Sequence, residues 1–152
     1  MRIVLDTNIL VRANPKVSPA GLARDLLLTI VSANQHTLIL SSAILVEVRR
    51  VLTYPHVQTR WPLTDEMIAQ YAAFLETAAF CVEVPEFPPA VVVKDPDDDP
   101  ILQTAILGYA DVLCTRDVDF AHDLGKEVCR ERGIRILSDI DLIRELRRTA
   151  ES

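Results

Sequence analysis

Carboxylates recur in this sequence at places where a folded chain needs a reason to keep them. Asp6 interrupts the apolar run Arg2-Ile3-Val4-Leu5-Asp6-Thr7-Asn8-Ile9-Leu10-Val11, and an ionised carboxylate within a buried strand is costly unless it has a partner. Glu47 falls at the edge of the apolar arc Ile44, Leu45, Val48, Val51 and Leu52 of a predicted helix, Ala43 to about Thr53, beside Ile44 and Val51. Asp95-Pro96-Asp97-Asp98-Asp99-Pro100 places four carboxylates in six residues ahead of the helical pattern Ile101 to Leu107. Pro100 suits the first helical position and makes Asp99 the N-cap. A helix N-terminus accommodates one acid or two, and a further one so close is better explained by a bound cation. Asp117 and Asp119 follow the strand-like run Asp111-Val112-Leu113-Cys114-Thr115. The first three of these groups also have a plainer reading. Asp6 starts an Asx-type turn with Asn8, Glu47 leans to solvent or pairs with an arginine, and the aspartate run is a solvated turn.

The elements that would position these groups weigh against four separate coincidences. A first strand over residues 2–11 leads to a helix that starts at Ser18-Pro19 and ends near Asn34. Thr37 to Leu40 reads as a short buried strand, and Ser41-Ser42 caps the Glu47 helix. That helix ends at Tyr54-Pro55-His56, and Arg60-Trp61-Pro62-Leu63 forms a connector in which Trp61 reads as a packing anchor, the alternative being a platform on which a base stacks. Thr64 caps a third helix whose buried stripe is Met67, Ile68, Tyr71, Leu75 and Ala78. A strand at Cys81 to Val84, a Pro85, Pro88 and Pro89 loop, and a short edge strand at Val91 to Val93 come next. The strand ending at Thr115 is followed, past a short connection from Gly125 to Gly133, by a last strand, Ile134 to Leu137. Ser138 caps a C-terminal helix, Asp139 to about Arg148, whose early acids and late Arg144, Arg147 and Arg148 complement the helix dipole. Strand and helix alternation predicts one domain over residues 1–152, a three-layer α/β/α sandwich with a mainly parallel sheet of four or five strands. Right-handed crossovers bring all strand ends to one edge, where open α/β sheets bind ligands. Asp6, Glu47, Asp98 with Asp99, and Asp117 with Asp119 converge there. An all-oxygen set without His or Cys suits Mg²⁺ or Mn²⁺, and such a site clamps a phosphate and activates water for in-line displacement.

Other chemistries fit less well. The four glycines form no G-x-G-x-x-G or Walker pattern, and His36, His56 and His122 lie in polar or turn-like stretches that suit no nucleophilic triad. A haloacid-dehalogenase-type phosphatase wants a second Asp two positions after its nucleophile, where this chain has Asn8, and no lysine is placed for a phospho-receiver. The odd count of three cysteines, Cys81, Cys114 and Cys129, argues against a disulfide framework, and they read as core or near-core thiols. With no secretory pattern ahead of Asp6 and no apolar run long enough to span a bilayer, the expected location is the cytoplasm. Net charge is -6, so contact with nucleic acid must be local or mediated by metal. Arg12, Lys16, Arg49, Arg50 and Arg116 are the cations near the predicted edge.

The ordered stretches "VLDTNILV", "ILVEVRRVL" and "DPDDDPILQTAILGYADVLCTRDVDF" resemble the successive motifs of PIN domains, in particular the VapC-like toxins of toxin–antitoxin systems. The resemblance implies a metal-dependent endoribonuclease with Asp6, Glu47, Asp98 and Asp117 as its acids, Asp98 being matched through Ile101 and Ala105. Asp99 and Asp119 stand beside the metal set. Asn8 and Thr115 match polar positions that orient ligands or phosphate, and Arg116, between Thr115 and Asp117, is placed to reach a phosphate or to pair with Asp119 or Glu47. The resemblance further implies an RNA substrate, a homodimer and an antitoxin partner. The alternatives are a DNA or flap-type nuclease, a metal-dependent phosphatase, and a non-catalytic module whose acidic cup holds a structural ion or a basic partner.

Overall fold

Ile3, Val4 and Leu5 are successive residues with essentially no exposed surface. Neighbouring side chains of a strand point to opposite faces, so both faces of this strand are covered. A computed structural model describes residues 1–17, 21–84, 99–116 and 123–151, by backbone alone at 99, 123 and 124. Among these residues five strands, β1 (Arg2–Leu5), β2 (Thr37–Ser41), β3 (Phe80–Val82), β4 (Val112–Cys114) and β5 (Arg135–Leu137), form one sheet in the order β3-β2-β1-β4-β5. Every pairing is parallel, as the strand and helix alternation predicts. The connections are α1 (Thr7–Arg12), α2 (Leu22–Ser32), α3 (Ser42–Leu52), α4 (Pro55–Arg60), α5 (Asp65–Ala78), α6 (Asp99–Leu107) and α7 (Asp123–Glu131), and α8 (Asp139–Ala150) closes the fold. α6 lies on β1, β2 and β4, α7 on β5, and α2 on β2 and α8. The result is an α/β/α sandwich.

Several local structures differ from the sequence expectation. The first strand stops at Leu5 instead of running to Val11. The Asp6 carbonyl accepts from Ile9 N at 3.0 Å and Leu10 N at 3.1 Å, which turns Thr7–Arg12 into a helix despite its β-branched content. Ile9, Leu10 and Val11 are buried from that helix. The Asx-type turn occurs at Asn14, whose Oδ1 accepts from Lys16 N at 2.9 Å. α4 adds a short helix begun by Pro55, where the sequence predicts only a helix end and a connector. Met67 is exposed, and Ala78 is only half-buried, while Ile68, Tyr71, Ala72 and Leu75 carry the buried stripe of α5. Cys81 is exposed, whereas Cys114 and Cys129 are in the core. The Ser18-Pro19 helix start, the Pro85 to Pro89 loop and the Val91 to Val93 strand lie outside the described residues. Among those described, no helix is long and apolar enough to cross a membrane.

Caps and cross-links hold these elements to the sheet. Ser41, Thr64 and Ser138 cap α3, α5 and α8, accepting from Ile44 N, Met67 N and Asp141 N, the pattern that Ser and Thr favour. The buried Tyr71 hydroxyl donates to the Leu10 carbonyl at 2.5 Å and pins α5 to α1. The Thr104 hydroxyl lies 2.8 Å from Ser41 Oγ and 2.6 Å from the Pro100 carbonyl oxygen. The start of α6 is thereby tied to the β2–α3 junction. Where α6 ends, Gly108 lets the backbone approach β2: a Cβ there would collide with Ile39 Cγ2 and sit 3.0 Å from the Thr104 carbonyl oxygen. Ile39 is fully buried and β-branched, so it has little room to yield. Gly108→Ala should therefore lower stability by about 1–3 kcal/mol, the usual cost of overpacking. Urea denaturation checks this, and a variant as stable as the parent would show that α6 can shift.

Candidate active site

The site begins where β1 gives way to α1. Asp6 N donates to the Cys114 carbonyl at 2.9 Å, which extends the β1–β4 ladder by one bond, and the Asp6 carbonyl opens α1. Its carboxylate makes no capping bond to that helix. Instead Thr115 Oγ1 donates to Asp6 Oδ2 at 2.7 Å. The register explains the meeting: Leu5 is opposite Cys114, so the next residue of each chain, Asp6 and Thr115, lie side by side. Strand order reverses between β1 and β4, and that switch point is where open α/β sheets form their ligand crevice. Only 6% of Asp6 is exposed, and a hydrogen bond to a buried charge is among the stronger ones. Thr7, next in sequence, has a buried hydroxyl with no hydrogen-bond partner among the described residues.

A cavity of about 460 Å³ opens at this point, lined by Asp6, Asn8, Ile9, Arg12 and Arg116. One buried carboxylate, one exposed amide and two arginines thus share one wall. Arg116 leaves the end of β4 and pairs through Nε with Asp139 Oδ1 at 3.6 Å, a partner that differs from Asp119 and Glu47, the two foreseen in the sequence. Asp139 is buried at the start of α8, where the sequence marks it only as one of the acids that complement the helix dipole. Its Oδ1 also accepts from Ile140 N at 3.0 Å. Between the two acids, burial and then the charges of Asp139 and Asp6 push the Cys114 thiol up to about 12, so it is neither a nucleophile nor a thiolate ligand near neutral pH.

Glu47 is half-buried on α3, with its carboxylate paired to Arg50 one turn on, the arginine pairing anticipated as its plainer reading, and it does not line the Asp6 cavity. Arg49 and Arg50 are exposed on the same helix, and Lys16 lines a separate apolar groove with Leu28, Met67 and Phe74. Asp98, Asp117 and Asp119 lie outside the described residues, as does the side chain of Asp99, whose backbone is the first residue of α6. Among the described residues no three His, Cys, Asp or Glu side chains gather into a metal-binding group. The donor chemistry present fits a hard, oxygen-preferring divalent cation: a carboxylate and an amide side chain line the cavity, no histidine does so among the described residues, and the adjacent thiol stays protonated.

A protein-family model described as a PIN domain matches residues 2–119 of the chain. That span contains Asp6, Glu47, Asp98 and Asp117, and stops short of Asp139. None of the curated proteins compared matches the chain.

Two outcomes follow from this geometry. Thr115→Val removes the hydroxyl that faces Asp6 and leaves a buried carboxylate one donor short, at an expected cost of about 1–3 kcal/mol, whereas Thr115→Ser should retain most of the stability; denaturant titration compares the two. A thiol reagent at pH 8 should modify Cys81 in the native protein and reach Cys114 only after unfolding, as peptide mapping of the labelled protein would reveal. Rapid native labelling of Cys114 would mean that the β4 end is open to solvent.

Proposed function

The chain belongs to the PIN domain family, whose members are in general metal-dependent nucleases, and on that premise we propose that it hydrolyses RNA phosphodiester bonds as the toxin of a toxin–antitoxin pair. The observation that carries this reading is the cavity at the β1–β4 switch point, where the buried carboxylate of Asp6 faces the same space as Arg12 and Arg116. A carboxylate suited to a cation, adjacent to guanidinium groups suited to phosphate, is the pairing that phosphodiester hydrolysis requires. The ribonuclease and toxin assignments rest on the likeness of the three motif stretches to VapC-like sequences. The same likeness supports a homodimer with an antitoxin protein as partner, while the chain length of 152 residues supports a single domain and the lack of a secretory pattern ahead of Asp6 supports action in the cytoplasm.

In this reading Asp6, Glu47, Asp98 and Asp117 hold Mg²⁺ or Mn²⁺, with Asp99 and Asp119 beside them. The bound ion supplies charge stabilisation at the phosphate and an activated water. Thr115 fixes the plane of the Asp6 carboxylate through Oδ2. Asn8, exposed on the first turn of α1, orients a ligand or the phosphate from the cavity wall. Arg12 and Arg116 neutralise the RNA backbone locally, which a chain of net charge -6 must do to bind a polyanion. Glu47 joins the set if its carboxylate exchanges the exposed Arg50 for the ion, and surface pairs of that kind are weak.

The decisive assay incubates purified protein with single-stranded RNA and Mn²⁺, with and without EDTA, beside Asp6→Asn. Cleavage should stop on chelation and fall by about a hundredfold or more in the variant, the scale of losing a principal electrostatic contact. Cleavage that survives either treatment refutes the assignment. Preference for DNA flaps or phosphate monoesters in a parallel panel would redirect it, and metal-dependent stabilisation without turnover would favour a binding module.

A further inference from the structure

The β4–β5 register makes one feature of the cavity wall depend on a residue outside the matched family span. Cys114 is opposite Leu137, and Thr115 N donates to the Leu137 carbonyl at 3.0 Å. Two residues past each of those positions stand Arg116 and Asp139, so parallel pairing sets a guanidinium next to a carboxylate. Their exposures differ sharply, 53% for the Arg116 side chain and 5% for that of Asp139. Asp139 is therefore the fixed member. Its Oδ1 is held by Ile140 N, and Ser138 caps the helix on which it stands. Arg116 is the exposed member, paired through Nε, and it lines the Asp6 cavity. A guanidinium carries five donors in a planar fork, so pairing at Nε leaves the terminal nitrogens to meet an oxyanion. Helix complementarity alone asks only for an acid near the first turn of α8, which Asp141 also supplies, and does not call for a buried one against an arginine.

We propose that Asp139 is a positioning residue that holds Arg116 against the wall of the Asp6 cavity so that its guanidinium receives a backbone phosphate of single-stranded RNA. The inference rests on the nuclease reading for its substrate and adds to it a residue that touches neither metal nor reacting atoms.

The test is a double-mutant cycle on the full chain with Asp139→Asn, Arg116→Ala and the pair, read by fluorescence anisotropy of a labelled single-stranded RNA in EDTA. The asparagine keeps the size and the acceptor for Ile140 N and removes only the charge. Each single variant should weaken binding roughly tenfold, and the pair should be no weaker than Arg116→Ala alone, the non-additivity expected of groups that act as a unit. In cleavage assays with Mn²⁺ the loss should appear in KM, with kcat largely kept. Arg116→Lys keeps the charge without the fork and should bind RNA as poorly as Asp139→Asn. Arg116→Lys against the parent stands as a separate comparison even if Asp139→Asn folds badly. The side-chain Nε–H resonance of Arg116 should be sharp in the parent and broadened in Asp139→Asn. Additive losses, unchanged affinity in Asp139→Asn, parent-like binding by Arg116→Lys, or no RNA binding by the parent would each overturn the proposal. RNA bound with the coupling intact but left uncut would defeat the nuclease reading alone, whereas cutting without the coupling would defeat only the role of Asp139.

Discussion

The hydrogen bond from Thr115 to Asp6 ties the chemistry of this protein to its topology. A carboxylate that is almost wholly buried is tolerable only with compensating donors, and this donor comes from a residue more than a hundred positions away. It arrives because β4 pairs with β1 instead of continuing outward from β3, so the chain must cross back over the sheet. That crossing creates the reversal in strand order and with it the crevice. The residue that needs a partner and the cavity in which a ligand would sit are thus products of a single pairing, Leu5 with Cys114.

Around that pairing the strand ends form a row. Asp6 follows β1, Thr115 and Arg116 follow β4, and Asp139 comes after β5, so acid, hydroxyl, guanidinium and acid alternate past the ends of three neighbouring strands. Between them the Cys114 thiol is pressed by burial and by both acids into its protonated form. It acts as a small apolar core residue. The Ser41 and Thr104 hydroxyls link β2 and α6 on the other side of β1, which sets the start of α6, and so the backbone of Asp99, at the β2–α3 junction. Packing and polar links therefore serve the same edge.

Charge is distributed so that local and global fields oppose one another. The molecule is anionic overall, which disfavours long-range attraction of a polyanion, yet two arginines face the cavity that holds Asp6. One of these, Arg116, is restrained by a buried partner, while Arg12 at the end of α1 is exposed. Specific contact is thereby confined to short range. Under the proposed function, that arrangement would limit indiscriminate adsorption of nucleic acid while leaving a site for phosphate.

Much of this was legible in the amino-acid order. The parallel α/β/α arrangement followed from strand and helix alternation, the caps at Ser41, Thr64 and Ser138 from local hydrogen-bonding chemistry, and the unusual position of Asp6 from a charge set in an apolar run. These are short-range properties, recorded in periodicity and residue type. The end of β1 at Leu5 was not legible, because Ile9, Leu10 and Val11 satisfy a strand pattern as well as a helix buried on one face, and only the bonds to the Asp6 carbonyl decide between them. The exposure of Met67 and Cys81 depends on which neighbours cover α5 and β3. Asp139 looked like an ordinary helix-start acid, since nothing in its own vicinity marks it as buried. Its partner is brought alongside by the register of β4 with β5, a long-range pairing that local sequence does not encode, and the same is true of Thr115 opposite Asp6. The amino-acid order thus determined which residues were available for chemistry, and strand register decided which of them meet.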